Sequence, residues 1–142
     1  MARFKNRYFL YLLTWRNGNR DDTLSESLLL QCIRDSVQTN FGDTVLGAIL
    51  ASLQVKFLCL ASGLCIIRCG RDESQQITGA LSLISEVKQN RLFFTCLYSS
   101  GNFLSCREVA LVNHAAVAQA NLSTKLKSQL VEAKERLRAL EL

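Results

Sequence analysis

Five cations and no acid stand in the first twenty residues of this chain: Arg3, Lys5, Arg7, Arg16 and Arg20. From Asp21 to Leu142 twelve basic residues meet twelve acidic ones, so the formal charge of +5 is carried entirely by the N-terminal edge. Arg3, Lys5 and Arg7 alternate and lead into an apolar run, Tyr8 to Trp15, that reads as a strand. Alternate residues of an extended chain point to one side, so the three cations recur about every 7 Å, close to the roughly 6–7 Å repeat of phosphates along a nucleic-acid strand. The chemistry open to such a row is phosphate neutralisation; a solvated, frayed terminus would carry the same residues. A second cationic pair, Arg68 and Arg71, stands at the end of another apolar run, Leu64 to Cys69, where a helix is expected to begin. Backbone N–H groups of that helix could add to an anion site there, and ordinary solvation at a strand end is the alternative. Lys125, Lys127, Lys134, Arg136 and Arg138 interleave with Glu132, Glu135 and Glu141 and read as the solvated face of a helix.

Catalytic chemistry finds little to build on. The sequence holds no G-x-S-x-G, no phosphate-binding Walker loop, no H-E-x-x-H and no G-x-G-x-x-G. A cysteine nucleophile would need a base, and His114 is the only imidazole. Asp21-Asp22 and Asp72-Glu73 each precede a helix signal, so capping and dipole complementation account for them. The six cysteines, Cys32, Cys59, Cys65, Cys69, Cys96 and Cys106, include no CxxC pair, and Cys65 with Cys69 has the wrong spacing for a zinc knuckle. Three of them lie inside apolar strand-like runs, where a reduced thiol packs as a small hydrophobe. The expectation is an intracellular protein with no metal, no catalytic residue and no cofactor of its own. The basic start followed by apolar residues mimics a signal peptide but lacks a small-residue cleavage site. No apolar run approaches 18 residues, so neither a transmembrane helix nor a membrane partner is expected.

The elements that must position these cations follow from periodicity. Strand one spans about Arg7 to Trp15. Thr23 and Glu26 have capping-box spacing, and Leu30, Ile33 and Val37 give the helix that follows its apolar stripe. Thr44 to Leu50 could form a short further helical turn. Ser52 to Leu60 alternates, with Leu53, Val55, Phe57 and Cys59 on one face; Ala61-Ser62-Gly63 turns it into a strand from Leu64 to Cys69. Asp72 is the expected cap of a second helix with the stripe Ile77, Ala80, Leu81 and Ile84, ending near Lys88 to Asn90. Arg91 to Tyr98 is the fourth strand.

The order β-α-β-β-α-β predicts a four-stranded antiparallel sheet with both helices on one face, an RRM-like or ferredoxin-like α/β sandwich. Strands three and four are apolar on both sides, so the second sheet face needs a cover, supplied by the C-terminal helix or by another protein. After Phe103 the pattern is helical, first with the stripe Val109, Val112, Ala116 and Val117. A heptad-like seam then runs through Leu122, Leu126, Leu130, Ala133, Leu137 and Leu140, capped by Ser123 or Thr124. Residues 1–120 are expected to form one RRM-like domain and 121–142 an amphipathic helical extension. Base stacking of the RRM kind is not supported, because strand three carries no aromatic residue.

Three segments are specific enough to carry a resemblance. Arg3-Phe4-Lys5-Asn6-Arg7-Tyr8 before an apolar strand, Ile66 to Arg71 (IIRCGR) opening a helix, and Ser99 to Cys106 (SSGNFLSC) after strand four resemble the Pop-five/Rpp-fourteen family of ribonuclease P and ribonuclease MRP protein subunits. The resemblance covers about residues 3–118. It implies an RRM-like fold and no intrinsic catalysis. It also implies partnership with the particle's RNA and other subunits, among them a TIM-barrel-like subunit called Rpp-thirty, or Rpp-one in fungi. In that setting the RNA, using Mg²⁺, cleaves precursor tRNA at its 5′ end, and the MRP particle processes ribosomal RNA; the location would be the nucleus and nucleolus. Carried over by position, the RNA-facing residues would be Arg3, Lys5, Arg7, Arg68 and Arg71, with Arg107 close by. Family members often have a basic residue within the segment matched by Asn102 to Ser105, where this chain has Phe103-Leu104. Two other classes stay open from the residues: a ferredoxin-like protein-interaction module without RNA contact, and a small acyl- or phosphoryl-processing enzyme whose Arg-Asn anion site does not assemble in this sequence.

Overall fold

The computed structural model describes residues 5–16, 24–60, 62–87, 90–118 and 124–140, with the backbone alone at 90, 117–118 and 124–128. Arg3, the loop after Arg16, Thr23, Ala61 and Ser123 lie outside the described residues. In chain order the elements are β1 (Asn6–Trp15), α1 (Glu26–Phe41), α2 (Asp43–Ile49), β2 (Gln54–Cys59), β3 (Leu64–Gly70), a 3-10 turn (Arg71–Glu73), α3 (Ser74–Leu83), β4 (Glu86–Val87), β5 (Asn90–Ser100), α4 (Phe103–Ala118) and α5 (Thr124–Ala139). The sheet runs β2-β3-β1-β5-β4, every pairing antiparallel. It therefore has five strands where four were expected. The extra one is a two-residue strand, formed because α3 stops at Leu83 and leaves Glu86–Val87 free to pair with Arg91 and Asn90.

Two cores lie on opposite faces of the sheet. Phe9, Tyr11, Leu13, Cys65, Ile67 and Cys69 pack against Leu29, Ile33 and Val37 of α1 and Ile77, Ala80 and Leu81 of α3. Leu10, Phe57, Leu64 and Ile66 pack against Phe103, Cys106 and Ala110 of α4 and Leu130, Ala133 and Leu137 of α5. The chain thus closes most of its second sheet face with its own C-terminal helices, which is why β3 is apolar on both sides. An external protein is not needed to cover Leu64 or Ile66. What stays open on β5 is Phe93, 55% exposed, and Leu97, 38% exposed.

The strand alternation fails at two bulges. In β2 the register with β3 shifts between Val55 and Phe57. Lys56 is the additional residue, so the parity flips: Leu53, Val55 and Leu58 enter the first core, whereas Phe57 and Cys59 enter the second. In β5 the shift sets Leu10 against Tyr98 and Tyr11 against Cys96, leaving Leu97 unpaired. Leu92 and Phe94 therefore face the first core and Tyr98 the second, although period two would put all three together.

Helix starts and stripes differ from the periodic reading in smaller ways. Ser25, not Thr23, caps α1, its Oγ accepting the Leu28 N–H at 3.1 Å, and the buried stripe is Leu29, Ile33 and Val37. Asp72 lies inside the 3-10 turn, and α3 starts at Ser74 without a side-chain cap. On α4 the buried stripe is Phe103, Cys106, Ala110 and His114, while Val112 is 71% exposed. This helix is apolar around most of its circumference, so spacing could not choose its inner face. Gly63 turns β2 into β3 at φ +74°; a Cβ there would meet the Leu13 carbonyl oxygen at 2.9 Å, so the turn needs glycine.

Tight packing sets the state of the thiols. Burial raises Cys65 well above the usual thiol range and Cys69 and Cys106 to about 12; the nearby Glu73 carboxylate adds to the rise at Cys69 and Arg7 opposes it. The unfolded chain releases these protons near the ordinary thiol value of 9.0, whereas the native state keeps them to about 12. The native state therefore binds more protons in that window, and stability falls as pH rises from 9 toward 12. Thermal melts under reducing conditions should show that alkaline loss, and replacing Cys69 and Cys106 by Ala should flatten its slope.

Candidate nucleic-acid interface

The corner where β1 begins and β3 ends gathers three of the predicted cations. Asn6 pairs with Gly70 and Arg7 with Cys69, and the Arg71 N–H donates to the Lys5 carbonyl at 2.8 Å. This bond clamps the residue just before β1 to the 3-10 turn and sets Lys5 beside Arg71. Lys5, Arg68 and Arg71 line a single cleft of about 660 Å³, together with Asn6, Ala48, Ala51, Ser52, Gly70, Asp72 and Glu73.

Ser52 builds that corner. Its Oγ accepts the Gly70 N–H at 3.1 Å and its own hydroxyl reaches the Ile49 carbonyl at 3.3 Å. Its carbonyl accepts from Arg68 Nε at 3.2 Å. One residue thus ties the end of α2 to the end of β3 and holds the Arg68 guanidinium against the cleft wall, leaving its remaining Nη donors. The Glu73 carboxylate lies over Gly70, in the space a Cβ would occupy. With Asp72 it makes the start of α3 acidic, so the dipole there is complemented by side chains and not left open to an incoming anion. Removing the hydroxyl by Ser52→Ala orphans the Gly70 N–H; the expected loss is about 1–2 kcal/mol in urea unfolding, while the Arg68 bond to the Ser52 backbone carbonyl is kept.

The other predicted residues fall elsewhere. Arg7 is half-buried opposite Cys69 and does not line the cleft. Arg107 does not join the cluster. Its Nη1 donates to the carbonyls of Leu140 at 3.1 Å and Arg138 at 3.4 Å, and its Nη2 lies 3.7 Å from Glu108. It caps the C-terminal end of α5, where a cation complements the helix dipole. Arg136, expected on a solvated face, donates from Nη2 to the Leu58 carbonyl at 2.7 Å and sits over the Phe57 ring at 5.2 Å. Leu58 belongs to β2, an edge strand, so α5 shields an edge carbonyl as well as a sheet face. Replacing Arg136 by Met removes both contacts, and a loss of about 1–2 kcal/mol should appear in urea unfolding. Phe103 is a core residue packed on Tyr8 at 5.4 Å between ring centroids.

Sequence reasoning missed Ser52, Ala48 and Ala51, because a serine and two alanines carry no motif. Their role arises from the fold-back of α2 onto the end of β3. The imidazole of His114 is fully buried, with Nε2 2.6 Å from the Leu130 carbonyl across the α4–α5 contact. It is a packing residue and not a surface base. Among the described residues no group of three or more His, Cys, Asp or Glu is placed to hold a metal ion, and no helix is long and apolar enough to cross a membrane.

The model of the Rpp14/Pop5 family matches residues 7–111, from the start of β1 into α4. This chain belongs to the Rpp14/Pop5 family. Among relatives, a probable ribonuclease P/MRP protein subunit POP5 of Arabidopsis thaliana is 33% identical over 118 residues, covering 78% of each chain. The ribonuclease P/MRP protein subunit POP5 of Schizosaccharomyces pombe is 28% identical over 120 residues, covering 78% of this chain and 86% of that one. A chain in the cryo-EM structure of yeast ribonuclease MRP aligns with a TM-score of 0.54 at 11% identity, over 97% of this chain and 95% of that one, a likeness of fold. The Rpp14/Pop5 match contains Arg7, Arg68, Arg71 and Arg107; Lys5 stands just before it and α5 follows it.

Proposed function

We propose that this Rpp14/Pop5 chain is a protein subunit of ribonuclease P and of ribonuclease MRP, with the catalytic work done by the particle's RNA. The observation that carries the reading is the family match over residues 7–111, and the POP5 subunits of ribonuclease P/MRP among its relatives agree with it. The role of the chain is to place Lys5, Arg68 and Arg71 against RNA phosphates, with Arg7 extending the basic edge and Arg3, outside the described residues, kept as a candidate from the sequence. Mg²⁺ serves the RNA and not the protein. The MRP branch of the function is ribosomal RNA processing, and the site of action is the nucleus and nucleolus. A TIM-barrel-like Rpp-thirty/Rpp-one subunit is the proposed protein neighbour. The apolar surface available to it on β5 is Phe93 with Leu97, since α4 and α5 occupy the rest of that face.

Native purification of the tagged full chain, followed by sequencing of the bound RNA and a 5′-cleavage assay on precursor tRNA with Mg²⁺, tests the reading. The expected result is a ribonuclease P or MRP RNA and cleavage by the particle, with no cleavage by the isolated protein. A folded chain that purifies without RNA, or specific cleavage by the isolated protein, contradicts it.

A further inference from the structure

We infer that the cleft at the β1/β3 corner takes one unpaired nucleotide of an RNA strand, with its base inside, and not the backbone of a duplex. This deepens the RNA-binding reading and rests on it. Three features of the cleft point this way. The first is shape: Lys5, Arg68 and Arg71 line a cavity of about 660 Å³ and do not form a flat row. That volume lies in the range of about 300–1,000 Å³ typical of small-molecule sites, enough for one nucleotide, whereas a duplex backbone needs only a surface.

The second is the chemistry of the walls. Ala48, Ala51 and Gly70 line the cleft with small groups, with Ser52 and Asn6 among them. A base plane can lie against the alanine methyls, with Arg68 held at its edge by the Ser52 carbonyl 3.2 Å away. Guanidinium groups stack on bases and bind phosphate, so Arg68 and Arg71 can serve either end of a nucleotide. The third is the pair of carboxylates. Asp72 and Glu73 line the same cleft as the cations. They would repel a bare row of phosphates, but they accept hydrogen bonds from a base amino group or a ribose 2′-OH, donors that an extruded ribonucleotide presents. Phosphate on Lys5 and Arg71, base against Ala48 and Ala51, and base or sugar donors on the carboxylates satisfy the cleft together.

The test uses the full chain, a single RNA strand of about five nucleotides, a duplex of the same sequence, and a nucleoside monophosphate as competitor, with affinity read by fluorescence anisotropy across a salt series. Ala51→Phe and, separately, Ala48→Phe fill the cleft without changing charge; both residues are exposed, so the fold should survive, which circular dichroism checks. The expected result is preference for the single strand, and a loss of about tenfold in each variant with the salt slope unchanged. Equal binding of strand and duplex, or folded variants that bind the strand like the parent chain, overturns the cleft proposal while leaving phosphate binding in place. A monophosphate that competes as well as the strand also overturns it, by assigning the cleft to free nucleotide. Loss of the RNA reading itself looks different: Lys5→Ala with Arg71→Ala then changes neither affinity nor salt slope.

Discussion

Ile66→Asp should abolish the cooperative unfolding of the full chain, whereas Phe93→Asp should leave a folded protein. Ile66 is fully buried and sits opposite Leu10 in the core that α4 and α5 close against the sheet. A carboxylate there has no partner, and burying it unpaired costs several kcal/mol on top of the lost isoleucine packing, about 2–5 kcal/mol. The sum is comparable to the whole stability of a small domain, about 5–15 kcal/mol. Phe93 is 55% exposed and opposite Thr14, so its carboxylate stays hydrated. Urea unfolding followed by circular dichroism separates the two. Near-native stability of Ile66→Asp would mean that the second sheet face is not closed by the chain's own helices. Failure of Phe93→Asp to associate with the proposed TIM-barrel-like neighbour, where the parent chain does associate and the variant still folds, would support a partner on β5.

The strand and helix order was legible because hydrophobic periodicity reports the faces of regular elements directly. Ile33, Val37, Ile77, Ala80 and Leu81 are where spacing put them. Periodicity broke at Lys56 and Leu97, because one inserted residue inverts every later assignment and bulges leave no composition signal. It also broke on α4, where too many apolar residues compete for the inner face. The second cover of the sheet was visible as a need in β3 and β5, and its supply by α4 and α5 depended on tertiary packing. At the site, alternation and charge balance singled out Arg3, Lys5 and Arg7, and position at a strand end singled out Arg68 and Arg71; of these the cleft gathers Lys5, Arg68 and Arg71. The sequence could not reveal that Arg107 and Arg136 are held by carbonyls of Arg138, Leu140 and Leu58, since acceptors distant in sequence are set by the fold alone.

The central claim, that the basic corner neutralises RNA phosphates, has one direct measurement. The binding constant of the full chain for its RNA is followed against salt, for the parent and for the variant carrying Lys5→Ala, Arg68→Ala and Arg71→Ala. Each phosphate contact contributes roughly 0.7–0.9 to the slope of log K against log salt, so three lost contacts should flatten it by about two to three. Affinity near physiological salt should fall by well over tenfold, the largest loss of any surface substitution considered. The triple variant should keep its fold, because Lys5 and Arg71 are exposed, their backbone clamp does not involve the side chains, and the one side-chain bond lost, from Arg68 Nε to the Ser52 carbonyl, costs only about 1 kcal/mol. A folded triple variant with the parent's slope and affinity would contradict the account and remove this corner from the RNA interface.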